Sequence, residues 1–163
     1  MSETPIYNLE KSKWTEQDFK TMGWHDAMIY AFAFITENPE GQTDLLLDID
    51  YIFDWIHPVA PAVNYKFQVA PCTLVFHNIS DLVIDISTSR LWQIDLEIDN
   101  LYFEAEEERT YWVIETHRGY IRFEATGYTQ YVRQRPKYTG GSQQLTLAER
   151  GGVSFAKEEC CIM

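Results

Sequence analysis

Residues 44–55 alternate with a period of two, interrupted only by Leu46 and Ile52. Leu45, Leu47, Ile49, Tyr51, Phe53 and Trp55 are apolar, while Asp44, Asp48, Asp50 and Asp54 occupy even positions between them. Side chains on an extended strand point to opposite faces in turn, so this pattern predicts a long strand with one face in the core and one in water. A helix would scatter the same residues around its circumference. The segment before it, from Met28, places Tyr30, Phe32 and Phe34 on one face and Ile29, Ala31, Ala33 and Ile35 on the other. Large residues against small ones suggest a strand covered on both sides. Asn38-Pro39-Glu40-Gly41 is a turn, and the two segments form an antiparallel hairpin.

The period of two continues. His57-Pro58-Val59-Ala60-Pro61 breaks the pattern and reads as a loop. A third strand runs from about Asn64 to His77, and its apolar parity flips at Pro71, which predicts a bulge or break there because proline cannot donate to a ladder. Leu82, Ile84 and Ile86 mark a further strand, and Ile94, Leu96 and Ile98 alternate with Asp95, Glu97 and Asp99. The glutamate run from Glu104 to Arg109 reads as a charged connection. Residues 110–117 and 120–131 form a closing hairpin about Arg118-Gly119. Residues 142–150 fit a short helix or a strand. One helix is expected over 15–22, capped by Thr15 with Asp18 three residues on and ended by Gly23. The fold class expected is all-β, mainly antiparallel: a sandwich or partly open barrel of about 7–8 strands with one short N-terminal helix. Residues 1–150 form a single domain, and 151–163 are expected to be a flexible tail.

With 163 residues, 45% of them hydrophobic and 15% aromatic, the chain can bury a full core without metal or disulfide staples. Three cysteines, two of them neighbours, argue against a disulfide framework and fit a reducing cytoplasm. The N-terminus does not read as a signal peptide, and no apolar run approaches a membrane span. The net charge of −12 is uneven, with −15 in residues 1–108 and +3 in 109–163. Such a field repels phosphate backbones, so nucleic-acid and membrane partners are disfavoured and a basic protein partner is favoured. The oligomeric state is left open.

Chemistry-bearing groups are few. Trp24, His25 and Asp26 stand at a strand entrance as a possible pocket or site: His25 and Asp26 offer a general base or a metal ligand, or simply a backbone contact that fixes the strand's register. The acidic row Asp44, Asp48, Asp50 and Asp54 is either a solvated sheet face or a place for a hard cation, although no calcium-loop pattern occurs. Asp95, Glu97 and Asp99 form a second row of the same kind. There is no nucleophile-elbow motif, no zinc-ligand spacing and no phosphate loop, and Cys72 sits within an apolar pattern as a structural thiol. Arg133, Arg135 and Lys137 lie beside Tyr131 and Tyr138 in a small basic patch, which reads as a solvated strand end. Cys160-Cys161-Ile162-Met163 matches a prenylation box, but Glu158 and Glu159 stand where a second, basic anchor would be expected.

The run Trp24-His25-Asp26-Ala27, an alternating strand, and then Leu46-Leu47-Asp48-Ile49-Asp50-Tyr51 resembles a motif of small bacterial β-rich proteins, some of them similar to immunity proteins of polymorphic-toxin systems. The stretch Ala70-Pro71-Cys72-Thr73-Leu74-Val75-Phe76 extends the likeness. The resemblance carries over no catalytic residue and no cofactor. It implies a non-enzymatic domain that masks a basic partner with an acidic face. On this reading Asp44, Asp48, Asp50, Asp54, Asp95, Glu97 and Asp99 bind the partner. The alternatives are a small-molecule-binding barrel with an aromatic cavity, or a metal-dependent hydrolase with His25 and Asp26 at its site.

Overall fold

The structure is a computed structural model that describes residues 3–37, 39–90 and 92–162. It contains ten strands: β1 (Lys13–Thr15), β2 (Met28–Ile35), β3 (Asp44–Ile56), β4 (Lys66–His77), β5 (Ser80–Ile86), β6 (Leu96–Glu106), β7 (Arg109–Thr116), β8 (Gly119–Glu124), β9 (Gly127–Val132) and β10 (Lys137–Thr139). A 3-10 helix spans Glu16–Thr21, and a single α-helical turn, α1, spans Leu147–Arg150. All pairings are antiparallel, in the order β1-β9-β4-β3-β2-β6-β7-β8-β5, with β10 also pairing β4. The path is open, with β1 and β5 at its ends. The count is therefore ten strands rather than 7–8. The helix expected over 15–22 is instead a 3-10 helix, though Thr15 and Asp18 make the reciprocal capping box its sequence announced.

The sheet folds over on itself. β2 and β6 join through only two residue pairs, Met28 with Glu97 and Ile29 with Leu96. The β4/β9 ribbon passes into the β5/β8 ribbon through short links, so one half (β1, β9, β4, β3, β2) faces the other (β6, β7, β8, β5). Cross-strand register explains the core. The rows Phe103–Trp112–Phe123 and Leu101–Ile114–Ile121–Ile84 run across the second half. Of these, Leu101, Trp112, Ile114, Ile121 and Phe123 meet Leu45, Leu47, Ile49, Leu74 and Phe76 from the first. Phe76 lies at the centre, its ring 4.7 Å from Phe123, 5.6 Å from Trp112 and 5.8 Å from Tyr128. Truncating so central a ring to alanine costs about 3–5 kcal/mol. The interior is filled by these side chains, and the enclosed space beside Tyr51 and Phe53 measures only about 70 Å³.

Both faces of β3 and β4 are buried over most of their length. Residues 142–160 cross the face opposite the core. Thr73 Oγ1 donates to the Ala156 carbonyl at 2.7 Å, Cys160 N to Val132 O at 2.9 Å, and Ser12 Oγ to Glu159 Oε1 at 3.0 Å. The segment expected to be a flexible tail is therefore tied across the sheet up to Cys160. Met163, the last residue of the prenylation-like box, lies outside the described residues, as does Asn38 of the β2–β3 turn.

β4 continues through Pro71 without a break, and the bulge in this pair falls instead in β3 between Ile52 and Asp54. β9 pairs β4 only over Cys72–His77, and β10 only over Phe67–Val69. Pro71 lies in the gap between the two partners, where a missing donor leaves no ladder bond unmade. The parity flip at Pro71 arises because both faces of β4 are buried.

Candidate functional site

The Trp24-His25-Asp26-Ala27 run is a tight turn, closed by the Ala27 N–H donating to Trp24 O at 2.9 Å. Trp24 is its anchor: buried, stacked with Phe19, and donating its indole N–H to Gln130 Oε1 at 2.8 Å. Asp26 takes φ +65°, the left-handed region that the third position of such a turn can demand and that aspartate tolerates better than most residues. Its N–H donates to Ile98 O at 2.8 Å, and Ile98 N donates to Ala27 O at 2.9 Å. The turn is thereby locked to β6 beside Glu97, which pairs with Met28.

β6 bulges between Ile98 and Asn100, leaving Asp99 unpaired in the ladder with β7. A bulge turns its residue out of the regular alternation. Asp99 meets two histidines at once. Its carbonyl lies 3.1 Å from His25 Nδ1, and its carboxylate Oδ1 lies 2.9 Å from His117 Nδ1. His117 comes from the β7–β8 turn, and its Nε2 lies 3.6 Å from Glu97 Oε2. His25 Nε2 lies 3.5 Å from Asp26 Oδ1, while Asp26 Oδ2 accepts from Gln143 Nε2 at 2.7 Å. One donor atom from each of Asp26, Glu97 and His117 falls within 4.8 Å of the others. Partial burial, then the Asp26 carboxylate, push Glu97 above the ordinary carboxylate range, and His117 offsets part of this. At the rim Arg118 Nη2 approaches Asp95 Oδ1 at 3.3 Å.

Beyond this corner opens the outer face of β6, β7 and β8. Register makes its rows explicit: Asn100–Glu115–Tyr120–Asp85, Tyr102–Val113–Arg122–Val83 and Glu104–Tyr111–Glu124. Carboxylates outnumber cations, and Arg122 lies over the Tyr111 ring at 3.9 Å. Tyr102 donates to Glu115 Oε1 at 2.9 Å. An open depression of about 470 Å³ sits here, lined among others by Asp99, Tyr102, Glu104, Glu115, Tyr120 and Arg122.

The expected acidic face on β3 is a different thing altogether. Asp48 and Asp50 are fully buried. Arg150 Nη2 donates to Asp48 Oδ1 at 2.6 Å and its Nε to Asp50 Oδ1 at 3.1 Å; Arg133 Nη2 donates to Asp48 Oδ1 at 2.7 Å. Ser154 N, Leu145 N and the Tyr30 hydroxyl fill the remaining acceptor sites. These two aspartates cannot meet a partner. They hold the C-terminal segment, which is why Arg133 is not part of a surface patch. Asp44 accepts from Asn78 N at 2.9 Å and caps the β4–β5 link, and Asp54 is exposed at the far end of β3, away from the core of the expected row. The two rows do not merge: Glu97 and Asp99 gather with His25 and Asp26 instead, Asp95 lies at the rim against Arg118, and the Trp24 side chain turns away into the core. Sequence reasoning missed His117 and Gln143. A lone histidine one residue before the Arg118-Gly119 turn signals nothing until the hairpin is folded against β6. Cys72 is buried and its thiol is pushed well up by desolvation, the state of an inert core residue. Among the described residues no helix is long and apolar enough to cross a membrane.

No protein-family model matches the chain. No curated protein and no solved structure is significantly similar to it.

Proposed function

We propose that the protein is a non-enzymatic interaction domain that receives a basic protein partner on the outer face of β6, β7 and β8, in the manner of an immunity-type inhibitor. The observation that carries this reading is the contrast between the two halves of the sheet. The face of β3 and β4 opposite the core is sealed by the C-terminal segment. The outer face of β6–β8 is open and carries Glu104, Glu115 and Glu124 around a depression, with Asp99 at one end. These carboxylates outnumber the cations of the face, and the negative field they set up favours a cationic partner. Tyr102 and Tyr120 supply the amphipathic rings that anchor such contacts. The net charge of −12 speeds encounter with a cationic surface.

The test is capture from the native host's lysate with wild type and a Glu104→Lys/Glu115→Lys variant side by side, at low and moderate salt. A basic protein retained by wild type at low salt, weakened at moderate salt and lost by the variant is the expected result. A partner held equally by both proteins, or no basic partner at either salt, overturns the reading. Both glutamates lie on an exposed strand face, so the variant keeps the fold, which its circular dichroism checks.

A further inference from the structure

Each of the two histidines at the turn corner faces an oxygen at both ring nitrogens. A backbone carbonyl can only accept, so the 3.1 Å contact from His25 Nδ1 to Asp99 O requires the proton on Nδ1. The Asp99 carboxylate imposes the same tautomer on His117, at 2.9 Å. In the neutral imidazole each Nε2 then carries a lone pair. His117 Nε2 faces Glu97 Oε2 at 3.6 Å and His25 Nε2 faces Asp26 Oδ1 at 3.5 Å, lone pair against carboxylate oxygen. Such contacts are repulsive unless a proton or a cation stands between the partners. A metal-ligating histidine commonly donates its other ring N–H to a carboxylate or carbonyl, which fixes its tautomer and raises its basicity. Asp99 does this for His117 from a bulge that gives it no other role in the ladder.

We propose that Asp26, Glu97 and His117 form a binding site for a divalent first-row transition ion, Zn(II) being the probe, with Asp99 as the residue that positions His117. One imidazole and two carboxylates suit zinc or its neighbours better than calcium or magnesium, which prefer oxygen alone. Ligands about 2.0–2.2 Å from such an ion lie roughly 3.4 Å apart in a tetrahedron. The three donor atoms, within 4.8 Å of one another, reach that spacing by small side-chain rotations. Gln143 fixes the Asp26 carboxylate by donating to Oδ2 at 2.7 Å. His25 borders the site through Asp26, its Nε2 lying 3.5 Å from Oδ1.

The experiment is calorimetric titration of Zn(II) into the full chain at pH 7.5, alongside melting temperature with and without the ion and 15N chemical shifts of the His117 ring. Wild type is expected to bind one equivalent of Zn(II) at this site, to melt higher in its presence, and to shift the His117 Nε2 resonance. Glu97→Gln and His117→Gln are expected to weaken binding at least tenfold, and Asp99→Ala by about 10–100-fold with a changed His117 tautomer. Asp26→Asn tolerates the left-handed turn and keeps the fold while removing the charge. Absence of Zn(II) binding to wild type overturns the proposal. Binding that survives Glu97→Gln and His117→Gln places the ion elsewhere, for instance at Cys160 and Cys161, and also overturns it. Calcium bound as tightly as Zn(II) removes the transition-ion assignment.

Discussion

Arg150 is the residue on which most of the buried polar structure depends. It is fully enclosed, pairs with Asp48 and Asp50, and lies over the Tyr30 ring at 3.8 Å. Its value as a contact is small beside what its loss would leave behind, since a buried carboxylate without its partner is strongly destabilising. Arg150→Met is expected to lower the unfolding free energy by about 3–5 kcal/mol, measured by urea denaturation, and to expose residues 142–160 to limited proteolysis. Arg150→Lys is expected to recover only part of the loss, because an ammonium cannot make the forked contacts to two carboxylates at once. The aspartates were legible as one face of a strand and illegible as a buried one. Alternation gives the side of the sheet on which a residue sits. It does not say whether solvent or another segment lies there, and the segment that covers them carries no periodic pattern and lies about a hundred residues away.

At the scale of elements, turns and bulges decide the site. Gly119 opens β8 at φ +140°, and an added Cβ would fall 1.8 Å from Asp85 O. Gly119→Ala is therefore expected to cost more than about 1 kcal/mol in denaturant and to loosen β5 from β8, seen as faster amide exchange in β5. It would also shift the turn that carries His117. The hairpin itself was legible from Arg118-Gly119, because turn residues and a period of two are local signals, but the single strand expected over 120–131 is two: β8 ends at Glu124, and β9 leaves the hairpin to pair with β4. The glutamate run was half misread: strands continue through Glu106 and resume at Arg109, leaving only Glu107 and Glu108 in the turn. The Asp99 bulge was not legible at all, since it arises from register against β7, a relation between segments. Trp24-His25-Asp26-Ala27 stood out correctly as a strand entrance, and the Ile98–Ala27 pairing that sets Glu97 beside Asp26 did not.

For the molecule as a whole, the enclosed tyrosines set a limit at high pH. Burial pushes the Tyr51 phenol up to about 12, against which the Gly23 N–H works only in part, and burial also raises Tyr30 and Tyr128. In the unfolded chain each ionises near its ordinary value of about 10. The stability they hold is complete below pH 10 and is lost as pH rises through the folded value, because only the unfolded state releases protons in that window. Urea midpoints should therefore begin to fall near pH 9, where the unfolded Cys72 thiol ionises, and fall more steeply above about pH 10, and Tyr51→Phe should make the steeper part shallower. A level profile through pH 11 would contradict the enclosure of these rings.

The Asp48–Arg150 pair also has a meaning in time. The two residues are 102 positions apart in the chain. At a synthesis rate of about 5–20 residues per second, the aspartates leave the ribosome roughly 5–20 seconds before their arginine is made. Through that interval β3 and β4 can pair, but the face bearing the two carboxylates has to remain hydrated. Burial of that face waits for a segment translated long after the strands it covers.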